Sequence, residues 1–194
     1  MIRINGHLCK LNSLVFSDFY YFSFYQESID VSSLTCPHCK TLGNCSYFAS
    51  YDRFLISVEG EHRVDYTITV KRVLCSSCGK THALLPDVLI PFGSYSLRFI
   101  LHILQAYLLR KVPVSDFCEY WQISVSTLYD WIHTFMEHYE LFFGILYRLS
   151  WICLDALHKA SSFPFLTSLF FEAFHFSFMQ LRFTSCSHTF ISDS

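Results

Sequence analysis

Two C-x-x-C pairs, Cys36-Pro37-His38-Cys39 and Cys75-Ser76-Ser77-Cys78, constrain this chain more than any other feature of its sequence. Such a pair places two sulfurs within reach of one ion, and zinc accepts four thiolates tetrahedrally at about 2.3 Å with no further geometric demand. Residues 40–74 separate the pairs, a longer stretch than the roughly 15–20 of compact fingers. A β-hairpin takes the chain out and back, so the pairs can still meet. Gly79, just after the second pair, can take a positive φ and let backbone N–H groups turn toward the sulfurs. A redox pair of the thioredoxin kind needs one C-x-x-C at a strand–helix junction, whereas two occur here, each joined to strand-like sequence. The expectation is a small β zinc ribbon with structural Zn2+ on Cys36, Cys39, Cys75 and Cys78, the four protein ligands closing the coordination sphere. Cys45, His38 and His82 are near in sequence and are read as bystanders, and Cys9, Cys118, Cys153 and Cys186 as small core residues.

The stretch between the pairs supports the hairpin. Val64, Tyr66, Ile68, Val70 and Arg72 alternate with Asp65, Thr67, Thr69, Lys71 and Val73, a period of two rich in β-branched residues. A weaker strand-like run covers residues 47–58, and Glu59-Gly60-Glu61 supplies the turn. After Pro86 and Pro91 the period changes: Leu97, Ile100, Leu101, Leu104 and Leu108 recur at helical spacing, with Ser94 or Ser96 available as a cap. Pro113 stops that helix. A short helix over residues 115–121 follows, with Ser115 as its cap, then a break at Gln122-Ile123-Ser124 and a longer helix. That helix carries Leu128, Ile132, Phe135, Tyr139 and Phe142 along one face. The fold class expected is α+β, a β zinc ribbon followed by an all-helical region containing a helix-turn-helix. The expected parts are an N-terminal arm (1–34), the ribbon (35–90), a helix-turn-helix-like domain (91–143) and an aromatic-rich helical tail (144–194).

Composition bounds the function. The 194 residues are 52% hydrophobic and 19% aromatic but only 15% charged, against roughly 25% charged in an average chain. Disordered, collagen-like and coiled-coil classes are excluded, and some aromatic surface is expected to stay open to a second copy or a protein partner. Net charge is −2, from 14 Lys+Arg against 16 Asp+Glu, which is not the footprint of a strong autonomous nucleic-acid binder. Nine cysteines with two tight pairs point to a reducing compartment and metal ligation. The apolar stretches 141–157 and 163–181 are each interrupted by charged or polar residues, Arg148 and Asp155 in one, Glu172, His175 and Gln180 in the other, so no membrane span is expected. The reading is a soluble, cytoplasmic protein.

Cys36-Pro37-x-Cys39, the run Val70-Lys71-Arg72-Val73-x-Cys75-x-x-Cys78-Gly79-Lys80-Thr81-His82-Ala83-Leu84-Leu85-Pro86 and the later Ile123-Ser124-x-Ser126-Thr127-Leu128-Tyr129 resemble the bacterial, mobile-element-associated family DUF6431. The order of parts is similar to the N-terminal zinc ribbon and helix-turn-helix of ISL3-type transposases. The resemblance implies DNA binding, with Cys36, Cys39, Cys75 and Cys78 as zinc ligands and residues 124–133 as the recognition helix. The outward residues there would be Ser124, Ser126, Thr127, Tyr129, Asp130 and His133. Around the ribbon, Lys71, Arg72 and Lys80 are the leading candidates for phosphate contacts, joined by Arg53, Arg63, Arg98, Arg110 and Lys111. Two positions depart from the pattern: Asp130 stands where a DNA reader favours a basic residue, and Phe48 where a histidine after Cys45 would be looked for.

No phosphate loop, nucleophile elbow or HExxH motif occurs. Strand transfer needs acidic residues holding two metal ions, and the acids after the helix-turn-helix, such as Glu140, Asp155, Glu172 and Asp193, sit in Phe- and Leu-rich sequence without alternating strands. The expectation is a non-catalytic module, a truncated or accessory relative of a transposase. The alternative is a zinc-stabilised protein–protein interaction module without DNA binding of its own.

Overall fold

The computed structural model describes residues 2–5, 17–86, 89–149, 166, 167, 169, 170 and 187–190. At its centre is an antiparallel sheet of three strands, β2 (Cys45–Glu59), β3 (His62–Cys75) and β4 (Thr81–Pro86). The hairpin joining β2 to β3 turns at Gly60, whose φ of 60° suits glycine, and pairs Glu59 with His62 at one end and Cys45 with Cys75 at the other. β4 pairs back on β3 through Val73 and His82. It then takes β1 (Ile2–Asn5) in parallel on its far side, and β5 (Ser187–Phe190) lies beyond β1. The strand order is therefore β2-β3-β4-β1-β5.

The N-terminal segment differs from the expected arm. Ile2 is fully buried in the sheet, and α1 (Asp18–Ser28) packs against it with Phe22 and Tyr25 inside. The helix shows no period because its outer face is aromatic too: Phe19, Tyr20 and Phe24 are exposed. Ser17 caps it by accepting from Tyr20 N–H at 3.1 Å. Gln26 ties α1 to the sheet where β3 and β4 part. Its buried amide donates to Leu84 O at 3.1 Å and accepts from Lys71 N–H at 3.3 Å, extending the ladder by one side chain.

The helical half consists of α2 (Leu97–Leu109), α3 (Val114–Trp121) and α4 (Val125–Arg148). Ser96, rather than Ser94, caps α2 by accepting from Phe99 N–H at 3.1 Å. Ser115 is not the cap of α3. Pro113 occupies that position without a side-chain bond, and the Ser115 hydroxyl donates to Asp116 instead. Gln122 ends α3 at φ 51° in the left-handed region, while Ile123 N–H bonds Cys118 O and Gln122 N–H bonds Glu119 O. These two bonds form a Schellman stop, and Ile123 and Cys118 are both buried. Ser124 then caps α4 by accepting from Thr127 N–H at 3.0 Å. Phe99 of α2 is fully buried and meets Trp121 and Trp131 edge-on at 6.0 and 6.2 Å. Leu128, Phe135 and Phe142 continue the buried face of α4.

The chain is thus α+β, with a small antiparallel sheet and several helices. α4 runs through the expected boundary at 143/144 without a break. The expected helical tail has helix at 166, 167, 169 and 170 and strand at 187–190; the rest of it beyond 149 lies outside the described residues. Among the described residues no helix is long and apolar enough to cross a membrane.

Candidate metal centre

The two cysteine turns are built alike. In the first, Cys36 N–H bonds Thr41 O at 3.0 Å and Lys40 N–H bonds Cys36 O at 2.9 Å. In the second, Cys75 N–H bonds Lys80 O at 3.0 Å and Gly79 N–H bonds Cys75 O at 2.9 Å. The residue after each second cysteine is left-handed: Gly79 at φ 67°, as its sequence position suggests, and Lys40 at φ 62°. Glycine takes this conformation without strain, whereas lysine there is held by the turn's own hydrogen bonds. Asn44 joins the turns, accepting from Ser76 N–H at 2.9 Å and donating to Ser77 Oγ at 2.7 Å.

This geometry brings all four expected sulfurs together. A zinc–thiolate tetrahedron with bonds of about 2.3 Å has edges of about 3.8 Å. Cys36 lies 3.6 Å from Cys78 and Cys39 lies 3.6 Å from Cys75, and the four sulfurs are all within 4.8 Å of one another. Cys36 and Cys75 are fully buried. Four buried or half-buried soft donors at these separations can hold a metal ion, and they suit zinc.

Their protonation chemistry points the same way. The Thr41 hydroxyl, 3.3 Å from Cys39 Sγ, and then the Thr41 backbone N–H hold the Cys39 thiol down to about 6. Burial pushes Cys75 up, but the N–H groups of Cys78 and Ser77 outweigh it and leave the thiol below its ordinary range. The Lys80 N–H draws Cys78 down, yet burial and the three neighbouring thiols outweigh it and push Cys78 up to about 12. Negative charge can therefore gather on part of the cluster, and a cation is needed to ionise all of it.

Cys45, across the hairpin from Cys75, stays outside the group; burial first, then Cys75 and Cys36, push its thiol up. Two neighbours were not legible as partners. Thr41 follows Cys39 by two residues and feeds its sulfur. His82 on β4 places Nε2 3.3 Å from Cys36 Sγ, and burial lowers its imidazole below the ordinary value.

The expected DNA-contact residues fall into three groups. Ser124, Ser126, Tyr129, Asp130 and His133 are exposed on α4, and Thr127 is half-buried beside them. Lys71 and Arg72 are strand neighbours and point to opposite faces. Lys71 Nζ donates to Gln26 O at 3.1 Å and lies 5.3 Å over the Tyr47 ring, while Arg72 donates to Thr81 Oγ1. Arg53 donates to Ile90 O and Gly93 O, Arg98 pairs with Asp18, and Arg110 lies over the Tyr107 ring. Most of these cations hold the fold together. Lys80 and Lys111 are exposed.

Arg63 does so at the joint between the sheet and the helices. Held by Asp65 at 2.7 Å, it donates to Gln122 O at 2.6 Å and Trp121 O at 3.4 Å, at the end of α3. Tyr120 OH donates to Glu61 O beside it. The hairpin tip thereby clasps the turn that precedes α4. Arg63→Ala is expected to cost about 1–2 kcal/mol in urea unfolding, as a partly exposed set of charge-assisted bonds does, and to leave the metal content unchanged. A variant that lost its metal would break the separation of the two roles.

No curated protein and no solved structure gives a significant match to the chain. The family model of a domain of unknown function (DUF6431) matches residues 36–131, from the first cysteine of the cluster to Trp131 on α4. Through that span, the chain belongs to the DUF6431 family.

Proposed function

We propose that this chain is a non-catalytic DNA-binding module of transposase-like layout. In this reading a zinc ribbon on Cys36, Cys39, Cys75 and Cys78 supports a helix-turn-helix formed by α3 and α4. The observation that carries it is the two-faced N-terminal half of α4: Leu128, Trp131 and Phe135 are buried, while Ser124, Ser126, Tyr129 and His133 are open to solvent. A recognition helix reads a major groove through such N-terminal residues. The zinc-bearing hairpin contributes by holding the turn at Gln122 through Arg63.

The charge distribution sets the strength of binding. With most arginines engaged within the fold, few phosphates are neutralised, so affinity is weak. Log K against log salt should be no steeper than about −3, corresponding to roughly three phosphate contacts. Lys80→Ala should weaken binding to all duplexes alike and flatten that slope by about one, whereas Tyr129→Ala should alter sequence preference. The measurement is a salt-titrated binding assay of zinc-loaded chain on a sequence library and a random duplex. Absence of binding at low salt contradicts this reading.

A second reading, an interaction module for a protein partner, is favoured by one feature. Tyr47, Phe48, Tyr51 and Phe54 are all exposed on β2, which is the outer strand of the sheet. Exposed aromatic side chains along an outer strand are one mark of an association surface.

A further inference from the structure

We propose that His82 is a positioning residue of the metal centre, its Nε2–H donating to the Cys36 thiolate and setting how firmly that sulfur holds the ion. The inference rests on the four-cysteine reading above. His82 is 7% exposed and Cys36 fully buried, with Nε2 and Sγ 3.3 Å apart. A sulfur bonded to a metal carries no proton, so the hydrogen in this contact belongs to Nε2 and the imidazole is the donor.

The other three sulfurs draw donors from their own turns. Thr41 serves Cys39, the N–H groups of Ser77 and Cys78 serve Cys75, and Lys80 N–H serves Cys78. For Cys36 a donor arrives from a different element, β4, placed by the pairing of His82 with Val73. Zinc with four thiolates has a net charge of −2, and in a buried setting each donated hydrogen disperses part of it. Outer donors of this kind orient the ligand and tune its basicity. Without His82, Cys36 would carry more charge in a dry site and become more reactive than it is with the donor in place. The register of β4 and the grip on the metal are thereby coupled.

The test uses the full chain loaded with Zn2+ or Co2+. His82→Phe fills the volume without a donor, and His82→Gln keeps an N–H. His82→Phe is expected to weaken zinc binding about 10–100-fold, move the thiolate-to-cobalt charge-transfer bands to lower energy and speed alkylation of Cys36. His82→Gln is expected to restore most of each. In wild-type protein loaded with NMR-active cadmium, a scalar coupling between the metal and the His82 Nε2 proton, carried through Cys36 Sγ, is expected; this readout does not depend on any variant folding. A missing coupling, a folded His82→Phe with wild-type affinity and cobalt bands, or a cobalt spectrum with a nitrogen ligand that His82→Phe removes, would each overturn the inference. Failure of the four-cysteine reading looks different: wild-type chain would then show no intense tetrahedral cobalt absorption, whatever stands at position 82.

Discussion

Chelating the metal from this protein is expected to unfold residues 36–86, and serine at Cys36 or Cys75 is expected to do the same. Free energies of about 10–16 kcal/mol accompany zinc binding at structural cysteine sites, against about 5–15 kcal/mol for the whole stability of a typical domain. The metal term is therefore as large as the net stability of a typical domain. Cys36 and Cys75 are the fully buried pair, so serine there removes a ligand and buries a hydroxyl among sulfurs. Acid should act like chelation. A metal site needs every thiolate ionised, so protons compete with the ion for the four sulfurs as pH falls. Amide exchange over β2 and β3 reads the outcome. Metal-free protein with native protection there would contradict the assignment.

The second large effect is expected far from the cluster. Asp18, its side chain fully buried, accepts from Ser57 Oγ and pairs with Arg98 at 3.2 Å. Ser96, the cap of α2, reaches Ser57 at 3.4 Å. One polar cluster thus ties the first turn of α1 and the start of α2 to β2. Asp18→Ala removes the carboxylate facing the mostly buried Arg98 guanidinium and should cost about 3–5 kcal/mol in denaturant unfolding, whereas the double change Asp18→Leu with Arg98→Leu should recover most of that. A double variant as unstable as the single one would show that the cluster acts through packing and not through its charges.

Much of the architecture is legible in the residues. Two C-x-x-C pairs flanking a period-two run can be satisfied by one hairpin, and that hairpin forms with its turn at Gly60. Pro113 and the Gln122–Ser124 break divide the helices where local chemistry requires. Three features escape a linear reading. Aromatic residues cover both faces of α1, so its spacing reveals neither helix nor burial. β1 joins β4 in parallel, a pairing settled by packing of distant segments. Basic residues read as open to phosphate were claimed by carbonyl groups and carboxylates from other elements: Arg53 by Ile90 and Gly93, Arg63 by Gln122, Arg98 by Asp18. Sequence shows where a charge is, but only the fold shows whether it is already engaged.

If one zinc ion joins the two cysteine turns, its coordination shell is made of sulfur alone. X-ray absorption at the zinc edge of the purified chain tests this directly, because it counts and identifies the atoms around the metal. Four sulfur scatterers at about 2.3 Å and one zinc per chain are expected. A shell with nitrogen or oxygen replacing any of the four sulfurs, or zinc well below one per chain, would contradict this.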